Sequence, residues 1–229
     1  CTCPLAYPEE GEQVTQRTHG TVEFEGKRWA FESIHDVSVE EYEGKTSLWV
    51  HGRANTYVYL PDTEFRDGMI EVDIAAQPRF SPGIGFRGRG DGQWYDKVMF
   101  GPARRSPMNG GSLLEQAVIT RREGTLVLLR LGMSGEDVAG KQFDPYGWFH
   151  VKIVVRGQGV QVYVDDCREP MFIADRVLDG RGHGTVGVCG NHFYFANFRH
   201  SPREQTAGLK ERPGGVSGNS RFVADGVKP

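Results

Sequence analysis

Asp67-Gly68-Met69-Ile70-Glu71-Val72-Asp73-Ile74 is the stretch from which the fold is read. Asp-Gly is a turn pair, and the residues after it alternate apolar with acidic. Successive side chains of a β-strand point to opposite faces. Ile70, Val72 and Ile74 therefore share one face, and Glu71 and Asp73 share the other. This is the pattern of an antiparallel strand with one face in a core and one in water. Phe149-His150-Val151-Lys152-Ile153-Val154-Val155 repeats it. After the turn at Gln158-Gly159, Val160, Val162 and Val164 alternate with Gln161, Tyr163 and Asp165, which completes a hairpin.

Outward from these segments the same period recurs. Val22 and Phe24, then Trp29 and Phe31, flank a turn at 25–27, and 37–39 and 47–50 flank another at 42–45. Residues 56–60 form a β-rich run that Pro61 is expected to stop. Ile84 and Phe86, then Val98 and Phe100, continue the series, as do 116–120, 125–131, 185–189 and 193–198. Residues 101–111, with two Pro and Asn109-Gly110, read as a loop. Turns every 8–12 residues or so and no long amphipathic helix predict an all-β sandwich. The expected core comprises Ile70, Val72, Ile74, Ile84, Phe86, Val98, Phe100, Val151, Ile153, Val155, Val160, Val162, Val164, Val186 and Phe195. The strands do not divide into two sets, so one domain is expected over 21–203, with an irregular lead-in over 1–20 and an extended tail or linker over 204–229.

Composition narrows the function. The 229 residues are 38% hydrophobic and 25% charged, with a formal net charge of −3 and no Lys/Arg block, which argues against nucleic acid as a partner. No run of 18 apolar residues occurs, so no transmembrane segment is expected.

Two groups of segments resemble the concanavalin A-like lectin/glucanase superfamily, in its laminin-G-like branch. One is Leu60–Ile74 with Gly83-Ile84-Gly85-Phe86-Arg87 and Trp94–Phe100. The other is Trp148–Val155, Val160–Asp165, Gly184–Val188 and Phe195-Ala196-Asn197-Phe198-Arg199. The resemblance covers roughly residues 21–200. It implies a two-sheet antiparallel jelly-roll sandwich of about 12–15 strands, one sheet presenting a concave face. The branch holds lectins, adhesion modules and hydrolase accessory domains, so the fold is better specified than the function.

Glu71 and Asp73 are the sharpest chemical candidates. Family 16 glycoside hydrolases of this superfamily carry a Glu-x-Asp-x-(x)-Glu strand, because a retaining glycosidase needs a carboxylate nucleophile and a carboxylic acid about 5–5.5 Å apart. Here Ala75, Ala76 and Gln77 follow, so the second Glu is missing and the strand offers no proton donor to the leaving oxygen. No catalytic residue is assigned. The plainer reading makes Glu71 and Asp73 solvated residues paired with Arg87 or Lys97. None of the seven His has metal-ligand spacing.

The favoured function is a non-catalytic carbohydrate-binding or cell-surface interaction module, with a polysaccharide, another glycan or a surface protein as partner. Sugar rings stack their C–H faces on aromatic rings while charged and amide groups bond the hydroxyls. Glu71, Asp73, Arg87, Trp94, Tyr95 and Lys97 are expected to share one sheet face as the binding patch, although Trp94 or Tyr95 could equally cap the edge of the core. The alternative is a glycan-active hydrolase or lyase with an atypical site. It would draw a proton donor from a loop histidine, His183 or His192, with Arg87 orienting the substrate. No cofactor is expected except calcium, which laminin-G-like domains often bind; the loops at Asp165-Asp166 and 89–92 are where such an ion would sit. Two readings of Cys1 stand: the lipid-bearing first residue of an exported bacterial lipoprotein at the cell surface or in the periplasm, or a cloning or proteolytic boundary. Cys167 and Cys189 could pair as a disulfide or lie as two buried thiols.

Overall fold

The computed structural model describes residues 18–33, 37–51, 56–76, 82–90, 94–105, 112–122, 125–134, 147–176, 178, 182–190 and 192–202. Every regular element among them is a strand. In chain order these are β1 (Thr18–Phe24), β2 (Lys27–Ser33), β3 (Val37–Tyr42), β4 (Lys45–Val50), β5 (Thr56–Phe65), β6 (Gly68–Ala76), β7 (Gly83–Gly88) and β8 (Tyr95–Arg105). They continue as β9 (Ser112–Arg122), β10 (Thr125–Ser134), β11 (Phe149–Arg156), β12 (Gly159–Val164), β13 (Phe172–Ala174), β14 (Gly184–Gly190) and β15 (Phe193–Pro202). Sheet A has the order β1-β2-β5-β14-β7-β8-β9-β10 and sheet B the order β13-β12-β11-β6-β15-β4-β3. Neighbours pair antiparallel throughout, which makes the chain a two-sheet jelly-roll sandwich.

The core lies between the sheets, and alternation assigns each strand's inner residues to it. Every residue expected there is buried. Each such aliphatic or aromatic side chain removed from water contributes about 1.5–3 kcal/mol before chain entropy is charged against it. Trp29, fully buried on β2, packs edge-on against Phe195 and Phe198 of β15 at 5.3 and 4.9 Å, which joins the two sheets.

Three local expectations are corrected. Pro61 does not end its strand: β5 runs on to Phe65, because the β14 register shifts between Gly184 and Val186 where β5 carries 61–64. An irregularity there spares the proline the ladder bond it cannot make. Residues 101–105 belong to β8, with a second shift between Gly101 and Arg104 spanning Pro102. β1 starts at Thr18, inside the expected lead-in. The remainder of that lead-in, Cys1 included, and the tail from 204 lie outside the described residues.

Candidate functional site

The six residues expected on one face are divided between the two sheets. Glu71 and Asp73 stand on β6 and face outward from sheet B, whereas Arg87 is on β7, Tyr95 and Lys97 are on β8, and Trp94 directly precedes β8, all in or beside sheet A. Three of these four are also withdrawn from solvent. Tyr95 is fully buried and stacks at 4.8 Å on Tyr57, whose ring lies directly over the backbone of Gly85. Lys97 is buried with its ammonium 5.9 Å from the Tyr95 ring. Trp94 is half-buried, with the Arg89 guanidinium 4.5 Å from its ring.

Arg87 is a buried strut between the sheets. Its backbone is left-handed (φ 53°), which breaks the alternation of β7 and re-aims the side chain. The guanidinium, 1% exposed, donates through Nε to the Arg66 carbonyl (2.8 Å) and through Nη2 to Asp67 Oδ1 (2.9 Å) and the Gly157 carbonyl (2.7 Å). It therefore ties the β5–β6 turn and the β11–β12 turn of sheet B to sheet A.

On the outer face of sheet B a polar cluster forms around Asp73. His150 of β11 lies opposite Asp73 in register, and its Nδ1 donates to Asp73 Oδ1 at 2.7 Å. Lys45 Nζ, from the start of β4, and Asn197 Nδ2, from β15, donate to Asp73 Oδ2 at 2.7 and 2.6 Å. Burial is the largest single influence on Asp73 and raises its pKa. The three hydrogen bonds and the Lys45 charge together outweigh it and hold the carboxyl well below the usual carboxylate range. The Asp73 bond raises the His150 pKa against a smaller opposing effect of burial, helped by the charges of Asp73, Glu71 and Asp165. The other ring nitrogen, Nε2, stands 3.9 Å from Glu71 Oε1, with both side chains partly open to solvent.

Asn197 reaches Asp73 because β15 bulges. β4 and β15 pair only across Phe193–Phe195 and then part, and the β15–β6 register shifts between Ala196 and Arg199. The β1–β2 turn enters the fork. There the Glu25 carboxylate accepts from the Asn197 amide, and from the Phe198 amide at 3.0 Å. An open cleft of about 540 Å³ remains at the fork, lined by residues of β1, the β1–β2 turn, β3, β4 and β15 that include Glu23, Glu25, Lys45, Thr46 and Asn197.

Beside the cluster is an aromatic group. Tyr194 of β15 is held between Tyr42 of β3 (3.9 Å, 8°) and Trp49 of β4 (4.3 Å, 27°). Trp148, half-buried, meets Tyr42 edge-on at 6.0 Å, and the Lys45 ammonium lies 4.7 Å from its ring centre. One sheet face thus combines rings, charged donors, an amide and a half-open carboxylate.

The histidine near the carboxylates is His150, not the expected loop residues. His183 is exposed beside Glu64 at 3.5 Å, and His192 packs at 4.6 Å from His51. Asp165 accepts the His150 amide through Oδ1, and among the described residues no group of three or more His, Cys, Asp or Glu is arranged to hold a metal ion. Cys167 and Cys189 are both free thiols, Cys189 buried and Cys167 half-buried. His150, Lys45, Asn197 and Trp148 were not singled out from the sequence. The available signal was alternation, which sets His150 opposite to Phe149 and Val151; the pairing of β11 with β6 is not local information.

No protein-family model matches the chain, and no curated protein matches it. Among solved structures it is similar to the carbohydrate-binding module CBM66 from Bacillus subtilis, with a TM-score of 0.54 and 14% identity over 76% of this chain and 94% of that one. A family 16 endo-glucanase from Bacteroides ovatus aligns at a TM-score of 0.48 and 13% identity, covering 83% of each chain. Sheep galectin-11 aligns at 0.41 and 15%, over 61% of this chain and 92% of that one. At these identities the likeness is one of fold.

Proposed function

We propose that the chain is a non-catalytic glycan-binding module that uses the outer face of sheet B. The observation that carries this reading is the composition of that face: Trp148 and its aromatic neighbours beside the Asp73–His150–Lys45–Asn197 cluster, opening into the cleft at the β4–β15 fork. Rings suit the C–H faces of a sugar, and a set of donors with one available carboxylate suits its hydroxyls. The solved carbohydrate-binding module of the same fold supports the reading by analogy. Membership of the laminin-G-like branch rests on the sequence motifs, and a polysaccharide partner goes with an exported protein. Glycan-array binding tests the proposal: retention of at least one glycan, lost in Trp148→Ala, is the expected result. No retention at millimolar concentration, with a protein co-purifying from the native host, would move the function to a surface-protein contact.

One observation favours a glycan-active enzyme as the second reading: His150 brings a proton-transfer group to Glu71. Its distance counts against hydrolysis, since 3.9 Å is short of the about 5–5.5 Å or about 6.5–9.5 Å between acid and nucleophile or base in retaining and inverting enzymes. Glycan cleavage abolished by Glu71→Gln would restore it.

A further inference from the structure

Both oxygens of Asp73 are occupied by His150, Lys45 and Asn197, so Asp73 has little left to offer a ligand and instead fixes its partners. An ionised carboxylate only accepts, so the Asp73 bond keeps a proton on His150 Nδ1 in either protonation state. Nε2 is then the variable group: it carries N–H when the ring is charged and a lone pair when it is neutral. Its neighbour, Glu71 Oε1, is 3.9 Å away, beyond hydrogen-bond reach. An oxygen about 2.8 Å from both atoms would sit about 2 Å off the line joining them, the position of a single bridging atom. That oxygen must accept from Nε2–H and donate to Glu71. A hydroxyl does both; an ether, a methylated oxygen or a carboxylate cannot.

We propose that His150 Nε2 and the Glu71 carboxylate form a subsite for one free sugar hydroxyl, with Asp73 as its positioning residue. This deepens the glycan-binding reading and rests on it. Charged His150 and Glu71 read the hydroxyl as donor and acceptor together. Neutral His150 presents a second acceptor, and the hydroxyl has one proton to share between two lone-pair groups. Binding is therefore strongest with the imidazole protonated. The charged and titratable groups facing this ring are Asp73 and Glu71 on β6, Asp165 after β12 and Lys45 of β4 acting through Asp73, while Lys152, two residues along β11, holds its ammonium 4.4 Å from the Tyr163 ring. The three carboxylates extend the protonated range upward in pH, in the direction the His150 pKa is raised.

The test is calorimetric titration of the full chain with the oligosaccharide best retained on the array, and with its monodeoxy analogues, at about pH 5.5 and about pH 9. One analogue should bind about tenfold to a hundredfold more weakly than the parent, the loss expected for hydrogen bonds to charged groups. Parent affinity should fall at least about tenfold at the higher pH. His150→Ala should abolish both the analogue discrimination and the pH dependence. Asp73→Asn should keep a pH dependence with its midpoint moved down, a change that a purely structural role would not produce. Thermal melts of each variant separate these effects from unfolding, and Glu71→Ala, a change at a partly exposed side chain that removes the acceptor, should also lose the discrimination while folded. Equal parent affinity at both pH values, or discrimination retained in His150→Ala, overturns this subsite and leaves the glycan-binding reading in place. Absence of any array binding overturns both.

Discussion

Arg87→Ala separates a structural from a ligand-binding role for the residue at which the sequence was most misleading. The substitution removes three donated bonds at 2.7–2.9 Å from a guanidinium that is 1% exposed. It leaves the Arg66 and Gly157 carbonyls without this donor and strips a charge partner from Asp67, whose carboxylate is 13% exposed, and from the buried Asp96, 3.8 Å from Nη1. Breaking a buried ion pair from one side costs about 3–5 kcal/mol, because the abandoned charge stays desolvated. Asp67 Oδ1 also accepts the Gly157 amide at 2.9 Å, which recovers part of that, so the lower half of the range is the better expectation. At about 2–4 °C per kcal/mol for a domain of this size, the melting temperature should fall by about 6–16 °C. Urea unfolding with an unchanged m-value is the assay. Arg87→Lys should fall between the two proteins, since one ammonium cannot reproduce the planar fork. A loss below about 1 kcal/mol, the scale of an exposed pair, would refute the reasoning. Lost glycan binding at undiminished stability would restore the ligand contact expected from the sequence.

Trp94→Ala should leave glycan binding unchanged while Trp148→Ala weakens it at least about tenfold, because the two rings belong to opposite sheets; array or calorimetric binding decides it. Stability should have a plateau in pH set by the Asp73–His150 pair. Asp73, depressed on folding, contributes above its unfolded value of about 3.9 and loses that as pH falls through the folded value; His150, raised on folding, contributes below about 6.5 and loses that as pH rises through the folded value. His200 is lowered by burial and slopes the opposite way near neutrality, so the quantity to measure is the urea-midpoint difference between wild type and Asp73→Asn, which should be largest between about pH 4 and about pH 6.5. Gly187→Ala should cost about 3 kcal/mol or prevent folding, as its Cβ would lie 2.1 Å from the Val58 carbonyl oxygen, backbone with no room to shift; thermal denaturation reads it.

The fold was legible because each strand states its own inner face. Ile70, Val72 and Ile74 need no partner to be identified, and the whole expected core is buried. The site was legible only in part. Glu71 and Asp73 were found by alternation along one strand, but their neighbours come from β4, β11 and β15, and strand order is not a local property. The expectation that Arg87, Tyr95 and Lys97 join them assumed that β7 and β8 share a sheet with β6, whereas they lie in the opposite sheet. Arg87 adds a second cause, since its left-handed backbone turns it off the face that period-two counting assigns. Pro61 shows the same limit in the other direction, because the irregularity that admits it lies in the register with β14.

The row Ala75–Tyr194–Trp49, aligned across β6, β15 and β4, has a bearing on any attempt to complete a Glu-x-Asp-x-Glu strand here. Ala75 occupies the outward position two residues beyond Asp73, where a retrofitted acid would be sought, and it is wholly buried beside the stacked rings. Glutamate there would bring a desolvated carboxylate against Tyr194 and Trp49 and part the stack that joins β15 to β4. Installing the missing acid on this strand would therefore require redesigning the neighbouring aromatic wall in the same step, and a single-residue conversion should fail as a folding problem before it is tested as a catalytic one.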